Sequence, residues 1–162
     1  MRAVEEFVLQ TRVAQPPDEI FPTFGEAAFV QSLAPGIMGL HVDRIGMALG
    51  DEIEVHFSGL GPRGPWVSRI VELVRTGDDI AFVDRSVRLP WPFATFEHHH
   101  GFRAADGGTL LIDDVRFTTS PGLLGPILRV ILRRSFAYRQ PIYRRRFGTV
   151  DTGAAQRPPT KP

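Results

Sequence analysis

At 162 residues the chain is long enough to bury one core and short for two domains, and with 43% hydrophobic residues it is no disordered polymer. Its formal net charge of +1 makes no case for nucleic acid or an anionic surface as partner, and the absence of cysteine excludes disulfides and thiolate chemistry. The acidic start "MRAVEEFVLQ" is unlike a secretory leader, and no stretch approaches the roughly 18 uninterrupted apolar residues of a membrane span, so a cytoplasmic protein is expected.

In chain order, "FVLQTRVA" alternates as a first strand. "QPPDEIFPTFGEAAFVQSLAP" then places Pro16 and Pro17 ahead of Asp18 and Glu19, a helix-entry pattern. Ile20, Phe21, Phe24, Ala28 and Phe29 recur at helical spacing, while Pro22 and Gly25 divide the segment into two short helices. Six strand-like runs follow: "GLHVDRIGMAL", "DEIEVHF", "PWVSRIVELV", "DIAFVDRSV", "ATFEHHHGFR" and "TLLIDDVRF". Breakers such as "SGLGPRGP", "TGD" and "DGG" separate several of them, as an antiparallel meander requires.

After "SPGLLGP" the period changes to that of a helix. Leu124, Ile127, Leu128, Ile131, Ser135, Tyr138 and Ile142 form a stripe, with Arg129, Arg133 and Arg144 opposite, and Pro141 is expected to kink it. The arginine-rich end "YRQPIYRRRF" reads as a solvated face on a favourable helix C-terminus rather than a nucleic-acid contact. The fold class is α+β: a curved antiparallel sheet of about seven strands, two short helices after strand 1, and a long C-terminal helix across the sheet. One domain is expected over residues 1–148, with residues 149–162 as a flexible tail because "DTGAAQRPPTKP" has nothing apolar to bury.

The order of these elements, with "PPDEIF", "SLAP", "GDEIEVHF", "PWVSRI", "FVDRSV", "FEHHHGF", "GTLLIDDVRF" and "GLLGPIL", resembles the SRPBCC superfamily. Within it, the chain is similar to bacterial members related to polyketide cyclases and START-type proteins. The resemblance runs from about Phe7 to Phe147. It implies a helix-grip fold with a cavity between sheet and long helix that typically holds an apolar ligand. It fixes no reaction, since members include carriers and cyclases.

The three consecutive histidines are placed by strand alternation. Phe96, His98, His100 and Phe102 share one face of their strand, which the phenylalanines assign to the core; Thr95, Glu97, His99 and Arg103 share the other. On the next strand Thr109, Leu111, Asp113, Val115 and Phe117 form the inner face. A two-residue turn at Asp106–Gly107 sets Phe102 opposite Leu111, His100 opposite Asp113, His98 opposite Val115 and Phe96 opposite Phe117. The same register aligns His99 with Asp114 and Glu97 with Arg116 outside, and a one-residue slip would ruin both patterns.

An inward His100–Asp113 pair has three readings: a buried hydrogen-bonded pair, a ligand-orienting or acid–base pair, or a metal site of His98 and His100 with Asp113 or Asp84 as further ligand. Spacing permits the third, but no HxxxH pattern or cysteine cluster supports it, so no metal and no cofactor are expected. Asp84 shares a face with Phe82 and Ser86 and is undecided between inside and outside. Trp66 reads as core or cavity wall, and the stiff segment "RLPWPFATF" puts Trp91 and Phe93 at a cavity mouth or a barrel plug.

The expected function is therefore binding of a small, largely hydrophobic, aromatic or lipid-like molecule. Its expected contacts are Trp66, Phe82, Asp84, Trp91, Phe93, Phe96, His98, His100, Phe102 and Asp113, with the last helix as lid. The alternatives are a cyclase-, dehydratase- or hydrolase-like enzyme using His100 and Asp113 as acid–base pair, and a non-catalytic interaction subunit. No nucleic-acid partner is expected, and exposed strand edges are compatible with a homodimer.

Overall fold

The structure, a computed structural model, describes residues 3–150; the expected tail lies almost wholly outside them. Seven strands form one sheet in the order β1-β7-β6-β5-β4-β3-β2, with every neighbouring pair antiparallel. They are β1 (Glu5–Val13), β2 (Leu40–Arg44), β3 (Glu52–Phe57), β4 (Trp66–Thr76), β5 (Asp79–Arg88), β6 (Phe93–Ala105) and β7 (Gly108–Thr119). Between β1 and β2 lie the two expected short helices, α1 (Pro17–Ile20) and α2 (Ala27–Ser32), joined by a 3₁₀ turn over Phe21–Gly25. Pro16 and Pro17 fix an extended entry into α1, and its first turn carries Asp18 and Glu19 near the positive end of the dipole. Ile20, Phe21, Phe24 and Phe29 point from these helices into the core.

The sheet curves because β4 carries two register shifts against β5, at Val67/Ser68 and Ile70/Glu72, and bulges bend the strand that holds them. On the other side of the sheet's centre, β6 and β7 pair without interruption from Phe96–Phe117 to Ala105–Gly108, in the register expected from their alternation. Gly107, at φ +78°, supplies the turn's positive φ. Gly108 leaves room for the Val13 carbonyl, which a side chain there would strike. Burial along β7 alternates residue by residue through Thr109, Leu111, Asp113, Val115 and Phe117.

The expected long helix is divided into α3 (Gly125–Ala137) and α4 (Arg139–Phe147), with Tyr138 between them. Pro141 explains the break: it has no N–H to offer the Ala137 carbonyl. The stripe facing the sheet differs from the one expected. Leu128, Leu132, Ser135, Phe136, Tyr143 and Phe147 turn inward, whereas Ile127, Ile131 and Tyr138 are exposed. The start of α3 is apolar almost all round, so periodicity alone left two faces competing, and the bulkier pair Phe136 and Tyr143 took the inner one.

The core separates into two aromatic clusters. One surrounds Phe24, Phe102, Tyr143 and Phe147, with edge-on packing of Phe24 and Phe102 at 4.8 Å. The other joins Phe7, Phe93, Phe96, Phe117 and Phe136. Burying one such ring contributes roughly 1.5–3 kcal/mol, so these clusters carry much of the fold's stability. The polar residues of β5–β7 lie where the two clusters meet.

Candidate functional site

Between the sheet and α3 lies a cavity, of which about 170 Å³ is open to the centre of a water molecule. Its walls are mostly apolar: Ile53, Val55 and Phe57 from β3, Met47 from the preceding loop, Val30 from α2, Leu33 just after it, and Leu132 and Phe136 from α3. The side formed by β2 and β3 is only half-buried, so the cavity meets solvent there. Apart from Ser135, whose hydroxyl meets the Met38 sulfur at 3.5 Å, the few polar groups converge on one region, where Ser68, Asp84, His98, His100 and Arg139 reach the cavity.

Strand parity builds this floor. His98 and His100, two residues apart on β6, face inward with Asp113 from β7 and Asp84 from β5. Asp84 is 6% exposed and His98 4%, which decides the inward orientation that the sequence left open for Asp84. His99 faces outward and bonds Glu97 at 2.6 Å.

The hydrogen bonds run diagonally rather than straight across. His100 lies opposite Asp113 in the ladder, yet its Nε2 meets the Asp84 carboxylate at 2.8 Å; His98 lies opposite Asp84, yet its Nε2 meets Asp113 at 2.8 Å. The expected His100–Asp113 pair is thus replaced by two crossed pairs. Side chains in a strand lean along it, so register fixes the neighbourhood but not the partner. The two imidazoles lie against each other, tilted by 39° with centroids 3.6 Å apart, and the Phe82 ring stacks on His100 at 4.0 Å.

Burial, reinforced by the neighbouring His98, lowers the pKa of His100 to about 4, so its imidazole is neutral at physiological pH. Burial alone would raise the carboxyls of Asp84 and Asp113. The hydrogen bond from His100 to Asp84, and that from His98 to Asp113, together with Coulombic attraction from the neighbouring basic groups, outweigh it and hold both below the usual carboxylate range. Arg139 approaches Asp113 to 3.7 Å and lies over the Phe136 ring at 3.8 Å. Two buried polar atoms here have no hydrogen-bond partner, the Tyr143 hydroxyl and Arg139 Nε, and burial pushes the Tyr143 phenol up.

Of the residues expected at the site, Trp66, Phe82, Asp84, Phe96, His98 and His100 line the cavity. Asp113 sits one layer behind, reaching it through His98 and Arg139. Phe102 and Phe93 are absorbed into the two aromatic clusters. Trp91 is 72% exposed and away from the cavity, so the proline-rich segment forms no wall of it. Sequence reasoning missed Ser68, Phe136, Arg139 and Tyr143. The last three recur with Leu132 at spacings of four, three and four, a signal present in the sequence but masked by the competing stripe. Asp84, His98 and His100 each offer a ligand atom within 4.8 Å of the others, the one such group with metal-ligating chemistry among the described residues.

No known family profile matches the chain, and no curated protein is similar to it. Solved structures are similar in fold. Norcoclaurine synthase from Thalictrum flavum superposes with a TM-score of 0.63 at 10% identity, over 89% of this chain and 86% of that one. The Zhui aromatase/cyclase from Streptomyces sp. R1128 gives 0.60 at 18% identity over 90% and 96%. The di-domain aromatase/cyclase StfQ of the steffimycin biosynthetic pathway gives 0.62 at 20%, with this chain spanning 53% of its length. Among the described residues no helix is long and apolar enough to cross a membrane. The chain has a helix-grip fold in common with these structures.

Proposed function

We propose that the chain binds a small, planar, largely apolar molecule in the cavity, with the molecule's polar group set against Asp84, His98 and His100. The observation that carries this reading is the segregation of the lining. Apolar walls would supply affinity by burying ligand surface, and polar groups gathered at one end would fix its orientation. The flat rings of Phe82 and Trp66 favour an aromatic guest. Fold neighbours support the class: one norcoclaurine synthase structure holds dopamine and hydroxybenzaldehyde, and two others are named aromatase/cyclases. Native mass spectrometry of freshly purified protein tests it. A bound organic mass is expected in the wild type and absent from Ala34→Trp, which places an indole in the lining; no adduct in the wild type, or the same adduct in both, would count against the reading.

The hydrogen bond from His100 to Asp84 favours a second reading, an acid–base enzyme. A neutral imidazole held in one tautomer by a carboxylate has the geometry of a general base, and His100 lines the cavity. His100→Gln separates the two readings. A lining role leaves guest affinity within about tenfold, whereas a catalytic role abolishes turnover with affinity kept.

A further inference from the structure

We propose that Asp84, His98 and His100 bind one divalent transition-metal ion at the cavity floor, and that Asp113 orients His98 for it. The inference stands whether or not an organic molecule shares the cavity.

The first argument is geometric. The Asp84 carboxylate lies 2.8 Å from His100 Nε2 and 3.9 Å from His98 Nδ1, and all three donor atoms fall within 4.8 Å of one another. Donors sharing a zinc- or iron-sized ion at about 2.1 Å stand roughly 3 to 3.5 Å apart, so Asp84 and His100 would part slightly, the ion replacing the proton of their hydrogen bond, while His98 Nδ1 would draw in. Two imidazoles and one carboxylate are the ligand set that leaves further positions open on a divalent ion. Here those positions would face the cavity.

The second argument is the tautomer of His98. Its Nε2 is engaged by Asp113 at 2.8 Å; in the tautomer that donates to that carboxylate, Nδ1 is the free nitrogen, and it faces Asp84 at 3.9 Å. A carboxylate behind a histidine in this way fixes the ring of a metal ligand and raises its basicity. Asp113 is in turn held by Arg139 at 3.7 Å.

The third argument is charge. Two carboxylates are buried here, and Arg139 offers a fixed positive charge to Asp113 only. The ion-pair partners of Asp84 among the described residues are the two histidines, neither of which is a fixed cation. A buried carboxylate without a fixed counter-charge is costly, and a divalent cation would supply one.

Cobalt(II) is the probe, because its visible absorption reports the coordination it enters. EDTA-treated protein is expected to take up one equivalent with absorption bands of a nitrogen- and oxygen-ligated ion, and excess Mg²⁺ is expected not to displace it. Asp84→Asn and His100→Gln should each weaken uptake at least a hundredfold. Asp113→Asn, which keeps all three donors, should weaken it about 10- to 100-fold. His56→Ala controls for the exposed pair His41–His56, stacked at 4.9 Å beside Asp43, and should change nothing. A readout that needs no floor variant uses Trp91→Phe, which leaves Trp66 of the cavity wall as the one tryptophan. Bound cobalt should quench its fluorescence. Wild-type protein that takes up no cobalt, uptake lost in His56→Ala but kept in Asp84→Asn, or uptake without quenching of Trp66 would each overturn the assignment.

Discussion

The two faces of the β6–β7 hairpin carry the same chemistry in opposite surroundings. Inside, His98 meets Asp113 and His100 meets Asp84, each at 2.8 Å. Outside, His99 meets Glu97 at 2.6 Å, Arg85 meets the same carboxylate at 2.6 Å, and Arg116 meets Asp114 at 3.2 Å. Distance does not distinguish the sets; water does. The outer pairs are screened, and such pairs are worth about 0–1 kcal/mol. The inner pairs have lost their hydration, so each partner depends on the other, and a guest entering the cavity finds polar groups that water does not fully satisfy.

Breaking an inner pair gives the largest expected effect. Asp113→Ala leaves His98 and Arg139 without their shared carboxylate and should cost about 3–5 kcal/mol in urea unfolding. A loss under about 1 kcal/mol would place this pair energetically with the outer ones. Phe82→Leu sharpens the comparison on the apolar side. It removes the ring stacked on His100 but keeps much of the volume, so a loss of about 1–1.5 kcal/mol is expected by thermal melting, with weaker guest binding. On the outer face Glu97→Ala unties both His99 and Arg85, yet should cost no more than about 1 kcal/mol, diminishing further at high salt. The smallest effect belongs to His99→Gln. Stability should stay within about 0.5 kcal/mol and guest affinity should not move, as isothermal titration would show.

The hairpin was legible in the sequence because two constraints had to agree. Phenylalanines two residues from each histidine fix which face is buried, and the Asp106–Gly107 turn fixes the register, so an error in one would have spoiled the other. Asp84 was not legible because Ala81 and Val83 make both faces of its strand apolar; only pairing of β5 with β6 sets it beside His98. The diagonal hydrogen bonds were beyond reach for a different reason, since they depend on how side chains lean, which alternation does not encode. Trp91 shows the converse failure. A large aromatic residue between prolines reads as a cavity mouth or a barrel plug, yet Trp91 lies in the loop before β6 and is mostly in water.

The fold explains why such a floor is tolerated. Aromatic clusters on either side of it bury most of the apolar surface, so the cavity between them can remain unfilled. The lining toward β2 and β3, where Met38, Leu40 and Ile45 are half-buried, is the side from which the proposed guest would enter.

The most direct measurement is calorimetric titration of 2-naphthol, an apolar ring with one hydroxyl, into wild-type protein and Ala34→Trp. One saturable site in the wild type, weakened at least tenfold in the variant at unchanged unfolding midpoint, is the predicted result. No saturable heat in the wild type, or equal affinity in both proteins, would contradict a cavity built to receive such a molecule.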